Sequence, residues 1–239
     1  CSTALMAVAN AVAWLRAGMA RRFLAGGTEA PLTDFTIAQM KAIGIYSSIH
    51  DDPFPCQPYG TSMQNTFVLG EGAAVFALEK AHGGTLNSGD AVIEAIGFGF
   101  EKIESKTGIS AEGINFQQSM RHALSQLDPA DNKIDVIITH SPGTKAGDRA
   151  ELTAVQSVFS ADLPVITTNK WLLGHTLGAS GALSLQYGLH LLREKLIPAL
   201  PYQNRLVSGS PASFRRVMIN AAGFGGNAAS VVITLMDSY

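Results

Sequence analysis

Lys170 and His175 stand five residues apart in "NKWLLGHTLGASG" (169–181), an apolar, glycine-rich stretch with no other titratable side chain. An ammonium and an imidazole in such a setting are hydrogen-bond donors suited to developing negative charge. A second stretch of the same kind, "HSPGTKAGDRAE" (140–151), opens on His140, and a third, "GFGGN" (223–227), carries Phe224 in a glycine turn. His140 could polarise a carbonyl or shuttle a proton, while Thr144 and the glycines around it would let a polar chain lie against backbone. Asp148 and Glu151 are expected to cap and tie down their turn rather than react. The chain itself begins on a thiol, "CSTALMAVANAVAWL". A cysteine opening a helix has the positive helix end and free backbone N–H groups beside its sulfur, which favours the thiolate. Cys1 taken alone also fits a small buried apolar residue. Cys56, in "PFPCQPY", has no comparable setting and is read as structural.

The elements that must position these groups are read from hydrophobic pattern and breakers. Residues 1–18 are Ala/Leu/Val-rich without proline and predict a helix stopped at Gly18. "RRFLAGGTE" (21–29) reads as a short strand running into a glycine turn. Prolines at 31, 53, 55 and 58 make 31–66 loop-rich, "GEGAAVFALEK" (70–80) reads as a buried strand, and "HGGTLNSGD" (82–90) as a linker. Beyond it the pattern becomes regular. Strands are expected at 91–100, 134–140, 163–170, 215–222 and 228–236, with helices at 112–127, roughly 146–159 and roughly 174–195. The order βαβαβαββ predicts a mostly parallel sheet covered on both faces. His140, Lys170 with His175, and Phe224 all fall at C-terminal strand ends, where such sheets deliver functional groups.

Composition narrows the field. The 239 residues are 46% hydrophobic and 15% charged, with net charge −2, which points away from nucleic acid and anionic membranes. No apolar run reaches the ~18–20 residues of a membrane span. Two cysteines are too few for a disulfide framework, so a reducing cytoplasm is expected. No metal-ligand spacing is present.

"CSTA", "AGGTEA", "VLGEGAAVFALE", "HSPGTKAGDRAE", "NKWLLGHTLGASG" and "GFGGN" come in an order and spacing that resembles the β-ketoacyl-acyl-carrier-protein synthases, the condensing enzymes of fatty-acid and polyketide synthesis. The likeness is to the elongating Cys-His-His type and covers the chain from the nucleophile onward. It implies an α/β, thiolase-like αβαβα layered fold. Residues 85–239 would be its complete C-terminal half (βαβαβαββ). Residues 1–84 would be the remainder of a truncated N-terminal half beginning at the nucleophile, with most of that half's sheet ahead of Cys1. The resemblance implies that Cys1 takes the acyl group from a carrier-protein phosphopantetheine thioester. Cys1 and Phe224 would supply the oxyanion-hole N–H groups, the Phe224 ring would gate the acyl pocket, and His140 and His175 would hold the malonyl thioester carbonyl. Lys170 would support the two histidines, Thr107 and Thr144 would contact pantetheine or substrate, and all four reactive side chains would meet at one tunnel mouth. No metal or dissociable cofactor is implied. The implied partners are acyl carrier protein, acyl and malonyl thioesters, and a second ketosynthase-like subunit in a homo- or heterodimer.

The chain departs from the family pattern at several points. Pro142 stands for a threonine that contacts pantetheine, and Ser184 for a glutamate that pairs with the lysine. "PYGTSMQNTF" (58–67) has lost its usual charges, and Asn227 lacks the threonine before it. Other readings are a non-catalytic chain-length-factor-like partner, which such losses would suit, and an N-terminal-nucleophile amidohydrolase with the Cys1 amine as base. The alternating α/β pattern speaks against the second.

Overall fold

The computed structural model describes residues 1–81, 86–102, 109–160, 162–206, 211 and 213–236. The chain starts with helix α1 (Thr3–Arg16), which ends before Gly18 at φ +71° as its breaker demands. Strand β1 (Arg22–Glu29) pairs antiparallel with β2 (Gly72–Glu79) along its whole length, and α2 (Asp34–Ala42) lies between them. Next come β3 (Ala91–Phe100), α3 (Ile114–Leu124), β4 (Val136–Ile138), α4 (Lys145–Phe159), β5 (Val165–Thr167) and the single-turn α5 (Lys170–Leu173). A 3-10 turn at Leu177–Ala179 leads into α6 (Ser180–Glu194), and β6 (Arg216–Ala222) and β7 (Asn227–Leu235) close the chain.

The second sheet has the order β3-β7-β6-β4-β5. Its β6–β4 and β4–β5 pairs are parallel, whereas β3–β7 and β7–β6 are antiparallel. The expected mostly parallel sheet is therefore half antiparallel, because β6 returns directly into β7 through the glycine turn without a crossover helix. Phe116, Met120 and Ala123 of α3 and Ala154 and Val155 of α4 pack on one face, against Ala95, Ile137, Met218 and Val232. Leu5 and Val8 of α1 and Leu185, Leu189 and Leu192 of α6 cover the other face, against Val136, Ile138, Ile219 and Ile233. Phe23, Ala25, Phe76 and Leu78 of the β1–β2 pair lean on the far side of α1 and α6. Among the described residues the layers run helix, five-stranded sheet, helix, two-stranded sheet. Seven consecutive buried residues in β6 reflect a strand covered on both faces.

Several local expectations are corrected. Gly26 and Gly27 stay inside β1 instead of turning, since both are paired with β2. The segment 31–66 does hold a helix, α2, started by the Thr33 side chain accepting the Thr36 N–H at 3.2 Å. It escapes the hydrophobic pattern because none of its residues is buried. β2 is half-buried, not buried: its outward face, with Val75 63% exposed beside Leu24 at 73%, carries no covering layer among the described residues. The helix expected from 174 begins at Ser180, because 170–179 is spent on α5 and the 3-10 turn that present the reactive groups. The linker's first half, 82–85, lies outside the described residues.

Helix α3 lies so close to β3 that the strand there has no room for side chains. A Cβ on Gly97 would sit 2.0 Å from the Ser119 carbonyl oxygen, and one on Gly99 1.9 Å from that of Asn115. Gly97→Ala must push the helix off its strand, so an equilibrium urea titration of the whole protein should show a destabilisation of ~1–3 kcal/mol or more.

Candidate active site

β6, β4 and β5 are neighbours and mutually parallel, so their C-terminal ends lie along one edge of the sheet. The chain leaves β6 into Phe224, β4 into His140 and β5 into Lys170, each within three residues of the strand end. α1 brings its N-terminus to the same edge: the Ser2 carbonyl starts the helix by accepting the Met6 N–H at 3.0 Å, with Cys1 directly ahead. Cys1, His140, Thr144, His175 and Phe224 all line a single cavity of about 130 Å³, walled otherwise by Asn65 and by apolar side chains such as Ile45, Phe67, Ile109 and Phe116. The imidazole rings of His140 and His175 lie 5.1 Å apart, edge to face. Phe67 packs on His175 at 5.3 Å and Phe116 on His140 at 6.3 Å.

The backbone around both histidines is held from below and from the side. Glu151 is fully buried and accepts the N–H groups of His140 at 2.9 Å and Ser141 at 2.8 Å, with the Asn220 amide donating to it at 3.2 Å. Asp148 accepts the N–H groups of Gly143 and Tyr59, both at 3.1 Å. Both carboxyls thus bind backbone N–H groups of the 140–143 turn, and burial pushes each of them up to about 7. The segment 66–70 then runs between the two reactive loops and bonds to both. Thr66 N–H reaches the Gly143 carbonyl at 2.7 Å, His175 N–H the Val68 carbonyl at 2.7 Å, and Gly70 N–H the His175 carbonyl at 3.0 Å. Gly143 traces this path at φ +86°, where a Cβ would lie 2.9 Å from Thr66 backbone atoms.

The turn after His175 decides its protonation. Leu177 takes φ +42°, unusual for a branched residue, and its N–H donates to His175 Nδ1 at 2.9 Å. A neutral ring that accepts at Nδ1 carries its hydrogen at Nε2, so His175 is a donor there. His140 Nδ1 is buried and has no hydrogen-bond partner among the described residues. Burial, reinforced by the charge of Lys170, holds both imidazoles well below the usual histidine range, and His175 adds to the effect on His140.

Lys170 stands apart from the other three reactive groups. Only 2% exposed, it does not line the cavity, and its Nζ donates to Asn169 Oδ1 at 3.0 Å and Ser184 Oγ at 3.2 Å. Its action on the histidines is through its field, not through contact with anything in the cavity. Ser184 therefore occupies the place beside the lysine that the resemblance gives to a glutamate. Pro142, the other departure, forms part of the cavity wall. Cys56 is buried and burial pushes its thiol up to about 12, which agrees with a structural role. Thr107 lies outside the described residues.

Sequence reading did not single out Asn169, Asn220, Phe67 or Phe116. Phe67 sits beside a motif already noted and Phe116 on the apolar face of an expected helix, so pattern alone marks both as core. Among the described residues no group of three or more His, Cys, Asp or Glu side chains is placed to hold a metal ion, and no helix is long and apolar enough to cross a membrane.

Comparison with known proteins gives the lineage. Residues 1–83 match the model of the beta-ketoacyl synthase N-terminal domain, and residues 90–203 that of the C-terminal domain. The chain belongs to the β-ketoacyl synthase family. The chain is 31% identical over 202 residues to the ketoacyl synthase alpha subunit of the tetracenomycin polyketide synthase of Streptomyces glaucescens, covering 83% of the chain and 47% of that protein. It is 27% identical over 247 residues to 3-oxoacyl-(acyl-carrier-protein) synthase 2 of Coxiella burnetii, covering 98% of the chain and 60% of that protein. Among solved structures, it matches a chain of a type II PKS acyl-carrier protein in complex with its ketosynthase bound to the hexaketide. The TM-score is 0.86 at 23% identity, over 99% of the chain and 62% of the other. The complex of the ketosynthase ApeO with its chain length factor ApeC from Xenorhabdus doucetiae matches with TM-score 0.80 at 23% identity, over 99% and 58%. These structures establish the thiolase-like ketosynthase fold. The chain spans about 47–60% of the length of these curated relatives.

Because both imidazoles are disfavoured as cations, ¹⁵N NMR of histidine-labelled protein should show His140 and His175 neutral throughout pH 6–8. His175 should carry its hydrogen on Nε2. An imidazolium signal from either ring at pH 6 would contradict the electrostatics described. Asp148→Asn leaves one acceptor for two buried N–H groups and should cost ~1–3 kcal/mol in thermal or urea unfolding.

Proposed function

We propose that the chain is the nucleophile-bearing part of a β-ketoacyl-acyl-carrier-protein synthase. The reading rests on one observation: Cys1, His140 and His175 open on the same apolar cavity, with His175 fixed as an Nε2–H donor. The sulfur of Cys1, at the positive end of α1, attacks the carbonyl of an acyl thioester on carrier-protein phosphopantetheine. A carbon–sulfur bond to Cys1 forms, the bond to the pantetheine sulfur breaks, and that sulfur takes up the proton given up by the Cys1 thiol, so that the carrier departs as its free thiol. A malonyl thioester then takes the vacated space. Its carbon–carboxylate bond breaks, carbon dioxide leaves, and the electron pair passes into an enolate whose oxygen faces the two imidazoles. The enolate carbon attacks the acyl carbonyl and the Cys1 sulfur leaves as thiolate, which yields a β-ketoacyl thioester.

Each part of the cavity suits a step. Neutral imidazoles can donate to the enolate oxygen without forming a lasting ion pair with malonate. The apolar walls disfavour the carboxylate and favour the uncharged carbon dioxide. The Phe224 turn lines the cavity together with Cys1, where the N–H groups of Cys1 and Phe224 would hold the oxyanion of the acyl transfer, and Thr144, on the cavity wall, would meet the pantetheine arm. Lys170 supports the pair from behind. Acyl carrier protein and a second ketosynthase-like subunit are the proposed partners.

The test uses protein made from the complete reading frame. Incubation with an acyl-carrier thioester should leave an acyl adduct on the Cys1 peptide by mass spectrometry, absent in Cys1→Ala. His140→Ala should lower condensation by about 10²–10³-fold, the usual loss on removing one donor to an oxyanion. A protein that gives neither an adduct nor malonyl decarboxylation acts instead as a non-catalytic chain-length partner.

A further inference from the structure

Lys170 poses a question that its role behind the histidines does not answer. A fully buried ammonium is costly unless a carboxylate neutralises it. Among the described residues no carboxylate forms an ion pair with this one. Its two partners are uncharged oxygens, Asn169 Oδ1 and Ser184 Oγ, and the Ser184 hydroxyl also donates to Asn169 Oδ1 at 3.1 Å, which closes a small triangle. α5 supplies the lysine, the residue before it the amide, and the second turn of α6 the hydroxyl.

We infer that Ser184 is a positioning residue of this site, which with Asn169 fixes the place of the Lys170 nitrogen while leaving its charge free to change with pH. The reason is the count of donors. A protonated Lys170 offers three N–H bonds and a neutral amine two. Either form has enough N–H groups to supply both neutral acceptors, so the triangle can hold the nitrogen in place across its titration. A carboxylate in the same position would bind the ammonium far better than the amine and would lock the charge on. The other groups facing Lys170 are Glu151 and Asp148 from α4, the Cys56 thiol, and the neutral imidazoles of His140 and His175. Burial outweighs the acidic groups among them and brings Lys170 down to about 8. The positive field behind the histidines is thus present below that pH and lost above it. The consequence for turnover rests on the condensing reading above: the enolate is best supported below pH 8, so the rate should fall along an alkaline limb.

The experiment reads Lys170 directly. Protein from the complete reading frame is labelled with ¹³C at lysine Cε, and the Lys170 resonance is assigned by its disappearance in Lys170→Met. The wild-type resonance should titrate near pH 8. Ser184→Glu should move that midpoint upward by about 1–3 pH units, and Ser184→Thr, which keeps the hydroxyl, should leave it in place. In condensation assays the alkaline limb should move with the resonance, so that at pH 9 the Ser184→Glu protein retains roughly tenfold more of its maximal rate than wild type. A wild-type midpoint above 10, or a midpoint unmoved by Ser184→Glu, overturns the inference. If that variant fails to fold, Ser184→Asp and the wild-type midpoint itself decide the matter. Because the resonance is read without turnover, absence of condensation counts against the functional reading alone.

Discussion

Two backbone N–H groups on one buried carboxylate hold the reactive edge of this molecule together. Glu151 receives His140 and Ser141 from the end of β4, and Asn220 from β6, so a single side chain of α4 ties helix, strand end and neighbouring strand. The polar chain continues from Asn220 to Ser230 on β7 and from there to Ser119 on α3. Burying so many polar groups is tolerable only when they satisfy one another. The result is a rigid floor beneath the imidazoles, upon which an otherwise apolar cavity can be placed.

The same floor explains why the site sits where it does. Three adjacent parallel strands end at one edge, and the chain spends the next residues on groups that face outward from it. Phe224, His140 and Lys170 come from strands neighbouring in space but widely separated in sequence. The helix dipole of α1 completes the edge from the other layer. Position within the sheet, more than any local motif, brings thiol and imidazoles to a common space.

Much of this was legible in the residues. The strand at 91–100 and the helix at 145–159 track the hydrophobic pattern closely, the strand as an apolar run buried on both faces in its middle and the helix as one buried face. His140, Thr144, His175 and Phe224 lie beside glycine-bearing turns at element ends, and the resemblance to the β-ketoacyl synthases is what joined Cys1 to them as one site. Other features left no such mark. α2 buries nothing, so periodicity is silent about it. The 3-10 turn before α6 depends on Leu177 at positive φ, which no leucine advertises. The antiparallel half of the sheet arises from the short return between β6 and β7, whereas the alternation of strands and helices ahead of that pair argued for a mostly parallel sheet. The set-back of Lys170 from the cavity arises from the α5 turn, and sequence spacing says nothing about depth.

The segment 66–70 belongs to neither of the loops it joins, yet it is bonded to both. It works as a splint: whatever shifts one imidazole backbone must drag the other with it. The stretch ahead of the splint supplies Ile45 and Asn65 to the cavity wall, and Asn65 is pinned on both sides, its Oδ1 accepting the Lys145 N–H and its amide donating to the Gly44 carbonyl, both at 3.0 Å. A change at Asn65 would therefore reach the start of α4 as well as the vestibule, whereas Ile45 can vary with consequences for the shape of the space alone.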